Sequence, residues 1–99
     1  MIPPTECTSI QQVRQQIDLL DREIITALGQ RFGYVKAITR FKKNAEEVAA
    51  PARFQQVLES RRQWASEAGL NADVIEQMYR LLIAHFIEEE LKLVHSAHE

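Results

Sequence analysis

Apolar residues recur at Ile10, Val13, Ile17, Leu20, Ile24, Leu28, Val35 and Ile38, mostly three or four positions apart and with no proline between them. That spacing marks one face of a helix and predicts a single long helix over residues 10–42. Thr8 and Ser9 precede it, with Gln11 and Gln12 three residues on from each, the spacing of a capping box. Pro3 and Pro4 leave Met1 to Cys7 extended or frayed. At 1.5 Å per residue the helix would be roughly 48 Å long, against a radius of gyration of about 13 Å for a compact domain of this size. One copy of the chain cannot cover such a stripe, so a second copy is expected against it. Gly29 and Gly33 inside it each cost about 1 kcal/mol relative to alanine, which points to close approach by another backbone or a ligand. Asp18 and Arg22, four apart, are placed to pair at the surface.

Beyond Lys42, Pro51 disfavours helical geometry at Ala50 and suits the first turn of a new helix. A loop is therefore expected at 43–50, with enough Ala and Glu to become helical over a ligand. A second helix over about 51–67 carries Phe54, Val57, Leu58, Arg61 and Trp64 at helical spacing, and Gly69 is its natural C-cap. Asn71 can cap a third helix over about 72–95, and so short a connection makes the two antiparallel neighbours. Ile75, Met78, Leu82 and Phe86 form one stripe of the third helix, and Tyr79, Ile83, Phe86 and Glu90 an overlapping one. Trp64, Tyr34, Phe41 and the aliphatic stripes are expected in a core or an interface.

Composition narrows the functional classes. The 99 residues are 45% apolar and carry a net charge of −2, which fits one soluble domain and disfavours nucleic-acid binding. No apolar run approaches a membrane span, and Met1 to Ser9 lacks the basic start and apolar run of a signal peptide, so a cytoplasmic location is expected. Cys7, the single cysteine, allows neither a disulfide framework nor a thiolate metal site. His95 and His98 read as a solvated tail, and His85 as a residue packed at the bundle surface. No metal and no cofactor are expected.

Three cations, Arg14, Arg31 and Lys42, sit in or beside the stripe of the first helix. Arg31 and Lys42 would project to one side, roughly 16 Å apart, and could reach one small ligand. Arg14, roughly 25 Å from Arg31, could join such a site only from an antiparallel partner helix. Read from residues alone, Arg14 and Arg31 fit a solvated face better than a site, with Arg14 pairing to Asp18, and Lys42 and Arg53 fit ordinary helix ends. Glu90 points with apolar residues, either at a solvated edge or within a site.

The segments CTSIQQVRQQID, ALGQRFGYVKAITRFK and RRQWASEAGL, in this order and spacing, resemble the isochorismate pyruvate lyases of salicylate biosynthesis, within the all-helical chorismate mutase family. The resemblance runs from Cys7 to about Lys92. It implies an all-α fold of three helices per chain with a long first helix, intertwined as a homodimer with two equivalent sites. By the same resemblance Arg14 binds a substrate carboxylate across the subunit boundary and Arg31 binds one within the subunit. Lys42 contacts the substrate near its ether oxygen, and Arg53, behind Pro51, is an additional site arginine. Glu90 stands where many relatives have a glutamine that donates to that oxygen, a departure because a carboxyl donates only when protonated. The implied reaction is pericyclic elimination of pyruvate from isochorismate to give salicylate. Chorismate mutase activity is implied as a side reaction or as the alternative, and a noncatalytic helical dimerisation module is the third possibility.

Overall fold

The computed structural model describes residues 1–97, all of whose regular structure is helical: α1 (Ile10–Ile38), α2 (Ala45–Ala49), α3 (Pro51–Glu67) and α4 (Ala72–Ala97), with 3-10 turns at Pro4–Glu6 and Thr39–Phe41. Three long helices were expected; the short α2 adds a fourth. His98 lies outside the described residues. The chain divides into two units, Met1–Tyr34 and the remainder from Val35.

In the first unit, Ser9 Oγ accepts from the Gln12 N–H at 3.1 Å, and Gln12 Oε1 accepts from the Thr8 N–H at 2.8 Å. This reciprocal cap starts α1 at Ile10. The N-terminal segment folds back along the helix, the Ile2 N–H donating to Gln16 Oε1 at 3.0 Å. No residue of α1 is buried. Ile10, Val13, Ile17, Leu20 and Ile24 are 41–63% exposed, so the stripe that defines the helix stands open to solvent within one chain. Tyr34, Phe41 and Trp64 are exposed as well, outside any core of the single chain. A Cβ on Gly29 or Gly33 would meet nothing within 4 Å, so the chain itself makes no close approach there. Among the described residues no ion pair joins Asp18 to Arg22.

The α-helical run ends four residues before the expected boundary. Thr39 Oγ1 donates to the Lys36 carbonyl at 2.6 Å and Arg40 Nε to the Ala37 carbonyl at 3.3 Å, so side chains occupy carbonyls of the last turn. The backbone tightens to a 3-10 turn and Lys42 leaves it extended, at φ −110° and ψ 133°. Lys42 therefore stands outside the helix, and the helical spacing from Arg31 does not carry through to it. Residues 45–49, expected as loop, form α2. Asn44 Oδ1 accepts from the Glu47 N–H at 2.9 Å while Glu47 Oε2 accepts from the Lys43 N–H at 2.6 Å, a second reciprocal cap.

In the second unit α3 and α4 pack against each other, and the turn Thr39–Phe41 and α2 both pack on α4. Val48, Val57, Leu58, Ala65, Phe86 and Val94 form the buried core. A Schellman motif ends α3: the Leu70 N–H donates to the Ala65 carbonyl at 2.8 Å and the Gly69 N–H to the Ser66 carbonyl at 3.1 Å. Gly69 sits at φ +77°, the left-handed conformation this motif requires. Asn71 Oδ1 then accepts from the Asp73 and Val74 amides and starts α4. Next to this turn Arg62 bridges Asp73 at 2.7 Å and Glu76 at 3.3 Å, tying α3 to α4.

Candidate active site

Phe86, Glu90 and Val94, four residues apart on α4, are all buried, so the helical period that builds the core also draws a carboxylate into it. Glu90 is 6% exposed. A charge so placed needs a partner, because desolvation otherwise outweighs what the fold gains around it. Lys42 supplies it from the extended residue between the 3-10 turn and α2. Its Nζ lies 3.0 Å from Glu90 Oε2 and donates also to the Val48 carbonyl at 3.4 Å. The side chains of Lys42 and Glu90 are 16% and 8% exposed, so this pair is shielded from water, whereas the Arg62–Asp73, Arg62–Glu76, Arg80–Glu76 and Lys92–Glu89 pairs are more open.

The structure thus joins two of the five candidate residues, forty-eight positions apart in sequence. Arg53 lies exposed on the first turn of α3 and its Nη1 donates to Gln56 Oε1 at 2.8 Å, so it is not drawn to the pair. Arg14 and Arg31 belong to the first unit, Arg14 exposed and Arg31 half-buried. The Val48 carbonyl, which the Lys42 ammonium also reaches, was not foreseen in the sequence. Its available signal was the Asn44 to Glu47 capping spacing, which places an apolar residue inside a short helix beside Lys42. Among the described residues no cluster of three or more His, Cys, Asp or Glu side chains gathers in the manner of a metal site. His85 is exposed with its ring 5.8 Å from that of Phe86, and His95 is exposed.

The family description "Chorismate mutase type II" matches residues 13–91, which include the whole of α2 and α3 and both members of the buried pair. The chain belongs to the chorismate mutase type II family. Among relatives of this chorismate mutase type II chain, the isochorismate pyruvate lyase of Pseudomonas aeruginosa is 39% identical over 92 residues, covering 93% of this chain and 91% of the relative. The T-protein of Haemophilus influenzae is 34% identical over 73 residues, 73% of this chain but 19% of that protein. The chain therefore matches the first relative nearly end to end, and the second over about a fifth of its length. No helix of the described residues is long and apolar enough to cross a membrane.

Proposed function

We propose that this chorismate mutase type II chain is an isochorismate pyruvate lyase, which eliminates pyruvate from isochorismate to give salicylate. The observation that carries the reading is the 39% identity to a lyase across 93% of the chain, a span that includes the shielded Lys42–Glu90 pair. As the ether C–O bond breaks, a ring hydrogen moves to the enolpyruvyl methylene. The ring becomes aromatic and the ether oxygen leaves as the keto oxygen of pyruvate. Such a step takes no nucleophile; it takes a side chain held over the ring and a donor at the oxygen where charge grows. Lys42 is that donor, Glu90 lies beside it, and loss of one preorganised donor of this kind typically costs about 10²–10³ in rate.

The substrate carries two carboxylates, for which arginine offers a planar fork. In this reading Arg31 binds one and Arg14 of the partner subunit the other, while Arg53 is an additional site arginine. A homodimer is supported by the uncovered stripe of α1 and by a second exposed stripe on α4, Val74, Met78 and Leu81. The family name favours a second reaction at the same residues, rearrangement of chorismate to prephenate.

Purified protein incubated separately with isochorismate and chorismate separates these readings, with salicylate followed by fluorescence and prephenate by absorbance. Rapid salicylate with slow prephenate is expected. Prephenate alone would move the chain to the mutases, and turnover of neither substrate would overturn the enzyme assignment in favour of a dimerisation module.

A further inference from the structure

An ammonium group has three N–H donors and no acceptor. Two of Lys42's are engaged, one by Glu90 Oε2 at 3.0 Å and one by the Val48 carbonyl at 3.4 Å. Both acceptors are fixed by packing. Glu90 is held between Phe86 and Val94 on the core face of α4, and Val48 is 2% exposed. The Val48 carbonyl belongs to the last turn of α2, where a helix leaves carbonyls without internal partners. The left-handed Ala50, at φ 39° and ψ 62°, stops α2 there, and Pro51 opens α3.

We infer that Glu90 and Val48 are positioning residues that form a two-acceptor seat for the Lys42 ammonium, directing its third N–H to a ligand oxygen. Lys42 emerges from an extended residue and has four rotatable side-chain bonds, so without a seat its charge would be spread over many rotamers. Two acceptors from two elements, α4 and α2, reduce this to one orientation. The burial of Val48 then serves the site: it holds a carbonyl in place, and the side chain that no catalytic motif marks becomes necessary to the lysine's aim. This inference rests on the lyase reading for the identity of the ligand, but the seat itself is testable without any ligand.

The test uses the full chain in its native assembly. Nitrogen-15 spectra of the lysine ammonium groups are recorded for the wild type, Glu90→Leu, Glu90→Gln and Val48→Ala, with Lys42→Arg identifying the Lys42 signal by its loss. One exchange-protected ammonium is expected in the wild type, retained in Glu90→Gln, which keeps an acceptor oxygen, and lost in Glu90→Leu. Val48→Ala is expected to speed its exchange at least tenfold. Kinetics on isochorismate form the second arm. Glu90→Leu is expected to lower kcat at least tenfold with KM within threefold, and Glu90→Gln to recover kcat to within threefold of the wild type. Should Glu90→Leu unfold, the Glu90→Gln and Val48→Ala spectra decide alone. An unprotected Lys42 ammonium in the wild type, or one indifferent to Glu90 and Val48, overturns the seat. A protected ammonium with kcat unmoved by its loss overturns the positioning role. A protected ammonium in a protein that turns over neither substrate leaves the seat standing and removes the lyase reading.

Discussion

Replacing Lys42 by methionine keeps the apolar stem of the side chain and removes the ammonium group, leaving Glu90 in the core without that partner. The cost follows from the burial. Glu90 is 6% exposed, with Phe86 at 8% and Val94 at 7% one helical turn to either side, so the carboxylate cannot regain water unless α4 shifts. Breaking a buried pair by removing one partner costs about 3–5 kcal/mol, whereas a surface pair is worth about 0–1 kcal/mol. Against a total of about 5–15 kcal/mol for a native domain this is a large fraction. At about 4–8 °C per kcal/mol for a chain of this length, Tm should fall by more than about 10 °C. The double variant Lys42→Met with Glu90→Leu removes both charges and should recover most of the loss, ending within about 1 kcal/mol of the wild type or above it. Urea unfolding followed by far-UV circular dichroism, at one fixed protein concentration because subunit association would add to the measured stability, gives all three values. A loss below 1 kcal/mol in the single variant, or a double variant no better than the single, would refute the claim that this pair is shielded and coupled.

Three further outcomes are expected. Ala50→Gly should be neutral or stabilising by up to about 1 kcal/mol in urea unfolding, because the left-handed conformation at φ 39° costs alanine about 1–2 kcal/mol and glycine nothing; a clear loss would show that Ala50 has a packing role. Asn71→Ala should cost about 1 kcal/mol by removing the oxygen that accepts from the Asp73 and Val74 amides, and an unchanged melt would mean that solvent replaces the cap fully. If Arg14 acts across a dimer, Arg14→Ala and Lys42→Gln proteins, each inactive alone, should regain roughly a quarter of wild-type lyase activity when unfolded and refolded together. Half of the random dimers are then mixed, and each mixed dimer has one intact site of two; no recovery would place Arg14 outside the partner's site.

The helices were legible where local chemistry alone decides them. Pro51 at a first turn, Gly69 past a last turn and Asn71 as the next cap put α3 at Pro51–Glu67 and the start of α4 at Ala72, matching the expected 51–67 and 72. Each signal acts within four residues and owes nothing to packing. The limits of the readable pattern appear at residues 39–49. Thr39 falls inside the helix expected over 10–42, yet its hydroxyl donates to the Lys36 carbonyl and the α-helix ends at Ile38. Asn44 and Glu47 carry the same capping spacing as Ser9 and Gln12, but lie in a stretch too short to show a hydrophobic period, so α2 went unread. The apolar stripe of α1 announced the helix, and within one chain that stripe stands open to solvent.

The candidate site shows the same division between local and long-range information. Glu90 could be seen to share a face with apolar residues, which left it either at a wet edge or in a site. Its burial depends on Phe86 and Val94 reaching the core together, and its tolerance there depends on a cation forty-eight residues away. Had the helix continued to Lys42, that lysine's direction would follow from the helical period set by Ile24 and Leu28. Because the α-helix stops at Ile38, its direction follows instead from two acceptors, Glu90 Oε2 and the Val48 carbonyl. The break in the helix thus releases Lys42 from the rod's geometry, and the capped turn of α2 helps set its orientation. A residue can be chemically conspicuous in a sequence while the groups that aim it, here a backbone carbonyl and a carboxylate in a greasy stripe, carry no motif of their own.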